Sequence, residues 1–153
     1  MARGLIVGCG CRGRALGRDL LEREWAVRGT SRREEGLAAI EAAGIEPALA
    51  DPERPGTLLD LVGDITAVFW LLGSAKGPEE NLAAIHGPRL ERFLERLVET
   101  PVRRFVYEAG GSVKSSFLER GAAIVEEAAA RWRIPAVVLK TEIGPHIDMS
   151  KLG

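Results

Sequence analysis

The chain has 153 residues and a mass of 16.5 kDa, a size that fits one domain with one sizeable hydrophobic core. Its 21 basic and 22 acidic residues leave a net charge of −1, which offers no electrostatic case for nucleic acid or an anionic membrane as main partner. The N-terminus lacks the apolar stretch of a leader peptide, and no apolar run approaches the ~18–20 residues of a membrane span, so a cytoplasmic location is expected.

Short apolar runs alternate with segments of helical spacing along the whole chain. The runs are Gly4–Val7, Trp25–Thr30, Ile45–Ala50, Ile65–Leu72, Val102–Tyr107 and Ala136–Leu139. Between the first two, Leu16, Leu20 and Leu21 share one helix face, and Gly13 and Gly17 allow that helix to approach a neighbour closely. The fourth helix is expected to carry Leu82, Ile85, Leu90, Phe93, Leu94 and Leu97, with Pro88 placed to kink it. Ala122, Val125, Ala129 and Trp132 mark the fifth. Strands alternating with helices predict an α/β fold with one doubly wound parallel sheet, and right-handed crossovers favour the six-strand order 3-2-1-4-5-6. About a dozen residues follow the sixth strand, so residues 1–153 are expected to form one domain without a separate substrate domain. The apolar faces of the fourth and fifth helices exceed what one sheet face obviously needs, which leads to the expectation of a homodimer.

The first strand runs into Gly8-Cys9-Gly10-Cys11-Arg12-Gly13 and then into a helix. In that context the three glycines have distinct physical uses. Gly8 permits a tight turn, Gly10 lets backbone N–H groups reach a pyrophosphate, and Gly13 lets the helix lie close to the strand. A dinucleotide site is the expectation, with Cys11 and Arg12 in its loop. An NAD-preferring site usually has a carboxylate about twenty residues on, at the end of the second strand. Here that place reads Thr30-Ser31-Arg32-Arg33, a hydroxyl followed by two guanidinium groups. These suit a 2′-phosphate, and Arg12 or Arg14 is placed to approach it, so NADP(H) is expected over NAD(H).

These motifs resemble the atypical and extended short-chain dehydrogenase/reductases, the NAD(P)-binding, epimerase-like Rossmann proteins. The resemblance rests on the glycine loop, Thr30–Arg33, Ala50-Asp51, Val68–Gly73, Arg103–Tyr107 and Ile143-Gly144-Pro145, and it lacks that group's C-terminal segment. It implies that Asp51 contacts adenine and that Leu72, Gly73 and Ser74 line the ribose on the nicotinamide side. It also implies a reactive Tyr with a Lys four residues later near the start of the last helix. That stretch is Ser115-Ser116-Phe117-Leu118-Glu119-Arg120-Gly121, with neither residue type.

Two functional readings follow. One is a non-catalytic or sensor-type cofactor-binding module. The other is an NADP-dependent oxidoreductase or epimerase-like enzyme acting on a small carbonyl compound with relocated groups. Glu108, Ser112 and Lys140, with Glu142, are the polar candidates near the carboxyl ends of the last strands, where ligands of open sheets bind. Cys9 and Cys11 lack the further ligands of a metal site and read as small loop residues, a reactive Cys11 thiol being the alternative. His86 and His146 read as surface or capping residues.

Overall fold

The computed structural model describes residues 1–140. Glu142, Ile143-Gly144-Pro145 and His146 lie outside the described residues. The strands are β1 (Arg3–Val7), β2 (Ala26–Ser31), β3 (Glu46–Leu49), β4 (Ala67–Trp70), β5 (Arg104–Glu108) and β6 (Ala136–Leu139). All pairings are parallel, in the order β3-β2-β1-β4-β5-β6. This is the expected doubly wound Rossmann sheet. The central strands β1 and β4 are apolar and buried on both faces, as helices on both sides require.

The helices are α1 (Cys11–Glu22), α2 (Leu37–Ala42), α3 (Pro55–Leu59), α4 (Glu79–Ile85), α5 (Pro88–Leu97) and α6 (Ser115–Trp132). Leu16 and Leu20 of α1 pack with Ile6, Ile40 and Phe69 on one sheet face. Leu58, Leu90, Phe93, Leu97 and Val125 pack with Val68, Trp70 and Phe105 on the other. Gly17 brings α1 against Ile45, where a methyl group would collide with the isoleucine side chain.

The expected fourth helix is two helices. The chain breaks at His86–Gly87, and Pro88 begins α5 instead of kinking a continuous rod. Proline lacks the N–H that a helix interior needs but suits a first turn, where that N–H has no intrahelical partner. A second correction concerns the apolar residues that motivated a homodimer. Leu90, Phe93, Leu94, Leu97 and Val125 are all buried within the chain, and Trp132 packs half-buried beside them. Packed against α3, α6 and the sheet core, these residues are taken up by this chain's own core.

Arg28 belongs to the basic stretch of β2 but serves the sheet, not the glycine loop. It donates to the Leu61 carbonyl at 2.7 Å, to Glu46 at 2.9 Å and to Asp64 at 2.9 Å. The Arg28 guanidinium holds the Asp64 carboxyl below its ordinary range.

Inside α6, Gly121 faces Tyr107 of β5, whose hydroxyl occupies the space a Cβ would take. Helix propensity alone would make Gly121→Ala stabilising by about 1 kcal/mol. Packing reverses the sign. We expect Gly121→Ala to destabilise the fold by about 1–3 kcal/mol, as overpacked cores do, measured by urea unfolding.

Candidate functional site

A cleft of about 580 Å³ opens at the carboxyl ends of β1 to β4. Its floor is the turn from β1 into α1. Gly8 has φ +86°, and a Cβ there would lie 2.6 Å from the Leu71 carbonyl oxygen. The Gly8 N–H donates to Thr30 Oγ1 at 3.3 Å, and the Cys9 N–H donates to the Thr30 carbonyl at 3.0 Å, which anchors the loop to β2. At Gly13 a Cβ would approach the Gly8 carbonyl at 3.0 Å, so this glycine holds α1 against β1.

Gly10 differs from both. No protein atom lies within 4 Å of the position its Cβ would occupy. Nothing in the fold therefore requires glycine there, whereas a ligand's phosphate approaching the backbone does. Gly10 is also the N-cap of α1, with no side-chain cap and no acidic residue in the first turn. The first-turn N–H groups and the positive dipole end thus remain to receive an anion. Glycine conformations, open space and uncapped donors together fit a pyrophosphate.

Around this floor stand Cys11, Arg12 and Arg14 of α1, Ser31 and Arg32 after β2, Asp51 and Glu53 after β3, and Leu72 and Ser74 after β4. Ser31 lines the cleft, but its hydroxyl holds the local turn, accepting from the Arg33 N–H at 3.1 Å and donating to the Arg33 carbonyl at 2.7 Å. Arg32 lines the cleft, whereas Arg33 is exposed and outside its lining. One Asp51 carboxylate oxygen accepts from the Glu53 N–H at 3.0 Å. The sequence reading missed Thr30, Lys76, Asn81, Leu82 and Ile85. Thr30 was legible as the last buried residue of β2. The others come from the loop after β4 (Lys76) and from α4 (Asn81, Leu82 and Ile85), which the fold places at the cleft.

The two thiols separate. Cys9 is buried against Gly29 and Gly13, and burial pushes its thiol up to about 11, so it is a packing residue. Cys11 is exposed at the start of α1. No group of three or more metal-ligating side chains occurs among the described residues.

The polar candidates of β5 and β6 do not line the cleft. Glu108 is fully buried. Its carboxylate accepts from Arg12 Nη1, from Arg12 Nη2 at 3.2 Å and from the Gly73 N–H at 2.9 Å. Gly73 is therefore a buried link between two loops and does not line the cleft. Ser112 is exposed, with its N–H on Ser74 Oγ at 3.1 Å, and Lys140 is exposed at the end of β6.

His86 is not a surface residue. It is fully buried, with Nε2 donating to the Leu72 carbonyl at 2.8 Å and Nδ1 accepting from the Tyr107 hydroxyl at 2.6 Å. Burial lowers its pKa, and burial beside Glu108 raises that of Tyr107. This pair ties the end of α4 to the floor of the cleft.

The sequence profile of the NAD(P)H-binding family matches residues 8–138. The chain belongs to that family. No curated protein matches it by sequence. Among solved structures, this NAD(P)H-binding chain is similar to the UDP-glucuronic acid 4-epimerase of Bacillus cereus in complex with NAD, at 16% identity and a TM-score of 0.75, over 90% of this chain and 55% of that one. It is likewise similar to the UDP-glucose 4-epimerase of Thermotoga maritima, at 15% identity and a TM-score of 0.75, over 90% and 54%. The chain thus spans about half the length of these structures. The likeness agrees with the epimerase-like Rossmann resemblance of the sequence motifs. No helix among the described residues is long and apolar enough to cross a membrane.

Two measurements follow from this geometry. Gly10→Ala should leave stability within about 0.5 kcal/mol of the parent, as substitutions away from packed features do. It should still weaken dinucleotide binding about tenfold or more, a loss of about 1.4 kcal/mol read by calorimetry. His86 has a folded-state pKa below its ordinary 6.5, so its contribution to stability is complete above that pH and is lost as pH falls through the interval below it. Urea unfolding should show a decline of up to about 1.4 kcal/mol per pH unit below pH 6.5, and His86→Gln should flatten that slope.

Proposed function

We propose that residues 1–153 form a single cytoplasmic NADP(H)-binding domain that holds its cofactor without catalysing hydride transfer on a carbonyl substrate. The observation that carries the cofactor choice is the composition of the cleft at the end of β2. Ser31 and Arg32 stand there, and Arg14 faces the same cleft from α1. Guanidinium groups form charge-assisted hydrogen bonds with a phosphate dianion and gain nothing comparable from a ribose hydroxyl. Asp51 and Glu53 enter from the β3 side, which leaves the β2 position to the cations.

The case against catalysis rests on proton supply. Carbonyl reduction needs a proton donor beside the nascent alkoxide, and losing one typically costs ~10²–10⁴-fold in rate. Phe117 and Gly121 occupy the positions where the family resemblance implies Tyr and Lys. Tyr107 directs its hydroxyl into the core toward His86, and Glu108 is engaged by Arg12 and Gly73. The enzyme reading, with a small carbonyl substrate, has one observation in its favour. Lys76 and Asn81 place polar groups on the α4 side of the cleft.

Calorimetry with NADPH and NADH tests the cofactor choice. The Arg14→Ala/Arg32→Ala double variant should lose about 10–100-fold in NADPH affinity, in line with ~1.5–3 kcal/mol for hydrogen bonds to charged groups, and less than about 3-fold for NADH. Equal losses for both cofactors would overturn the NADP(H) reading. Brisk NADPH oxidation by the parent chain on a carbonyl panel, abolished by Lys76→Ala, would replace the module with the enzyme.

A further inference from the structure

A dinucleotide on an open α/β sheet crosses the carboxyl ends of the strands at the point where the strand order reverses, between β1 and β4 here. One half lies over β1, β2 and β3, and the other over β4, β5 and β6. The two halves of this site are built very differently. The first has the glycine loop, the Arg14 and Arg32 cations and Asp51, and the second contributes only the chain that follows β4, with Leu72, Ser74 and Lys76, then Leu82 and Ile85 of α4. Among the described residues, none from β5 onward lines the cleft.

Beyond the end of β4 the second half is closed by its own bonds. In the sheet β4 lies between β1 and β5, so the ion pair from Arg12 on α1 to Glu108 at the end of β5 passes over the carboxyl end of β4. Beneath it the loops after β4 and β5 are joined at three points. The Gly73 N–H donates to Glu108 at 2.9 Å, the Val113 N–H to the Gly73 carbonyl at 2.9 Å, and the Ser112 N–H to Ser74 Oγ at 3.1 Å. The backbones approach so closely that a Cβ on Gly73 would strike the Gly110 carbonyl. Parting these loops would separate a fully buried carboxylate from its partners, which opposes opening.

Building on the NADP(H) reading, we infer that the chain recognises the 2′-phosphorylated ADP-ribose half of the dinucleotide and leaves the nicotinamide outside the cleft. Affinity then comes from the adenosine and diphosphate groups. The oxidised and reduced cofactors bind alike, and the domain responds to the size of the cofactor pool and not to its redox state.

The test is calorimetric titration of the full chain with NADPH, NADP⁺ and 2′-phospho-ADP-ribose in one buffer. The three dissociation constants are expected within about threefold of one another, less than the tenfold that corresponds to 1.4 kcal/mol. The dihydronicotinamide fluorescence of bound NADPH is expected to match that of the free cofactor. A dinucleotide differing from the fragment by about tenfold or more, or NADPH differing from NADP⁺ by that much, overturns the inference while leaving NADP(H) binding intact. Absence of binding by all three overturns the cofactor reading and this inference with it.

Discussion

Glu108 is a carboxylate with no exposed surface at the end of the interior strand β5, and a charge in that position must be answered by donors. Among the described residues the answers include Arg12 on the first helix and the Gly73 N–H after β4. Removing one partner from such a buried pair generally costs about 3–5 kcal/mol, because the other charge stays buried. The geometry of three loops follows from this requirement. Arg12 must lie across the sheet, Gly73 must point its N–H inward, and the chain after β5 must run tightly against it. The shape of the cleft is what remains once these demands are met.

A second buried polar unit governs the opposite wall. His86 closes α4, bridges the Leu72 carbonyl and the Tyr107 hydroxyl, and is flanked by Gly87 and Pro88. The break between α4 and α5 falls at this buried pair. Gly121 completes the arrangement by leaving room for the Tyr107 ring against α6. The position that the family resemblance implies for a lysine is thus filled by a tyrosine hydroxyl reaching from the sheet.

The fold is shared with epimerases at 15–16% identity, which shows how little sequence the Rossmann architecture demands. Shared architecture carries no activity by itself, since function resides in side chains mounted on it. In this NAD(P)H-binding chain the turn from β1 into α1 keeps open space and uncapped donors at Gly10, while Tyr107, Glu108 and Gly121 near β5 and α6 serve packing and ion pairing.

What the sequence alone determined is local. Hydrophobic period located all six strands and predicted their order, because strand-helix alternation and crossover handedness leave few topologies. The spacing of Gly8, Gly10 and Gly13 was legible because the turn from β1 into α1 is local in the chain, whereas the Leu71 carbonyl that Gly8 abuts is not. What the tertiary structure decided is which distant side chains meet. Arg12 and Glu108 stand 96 residues apart, and only the adjacency of β1, β4 and β5 makes Arg12 a partner of Glu108 as well as a loop residue of the cleft. His86 read as a surface or capping residue of a long helix until the break at Gly87 turned it inward. The apolar residues of α5 read as surplus until the packing of α5 against α3, α6 and the sheet buried them. In each case the deciding quantity, a buried charge or a filled volume, is a property of neighbours in space, which residue spacing along the chain does not encode.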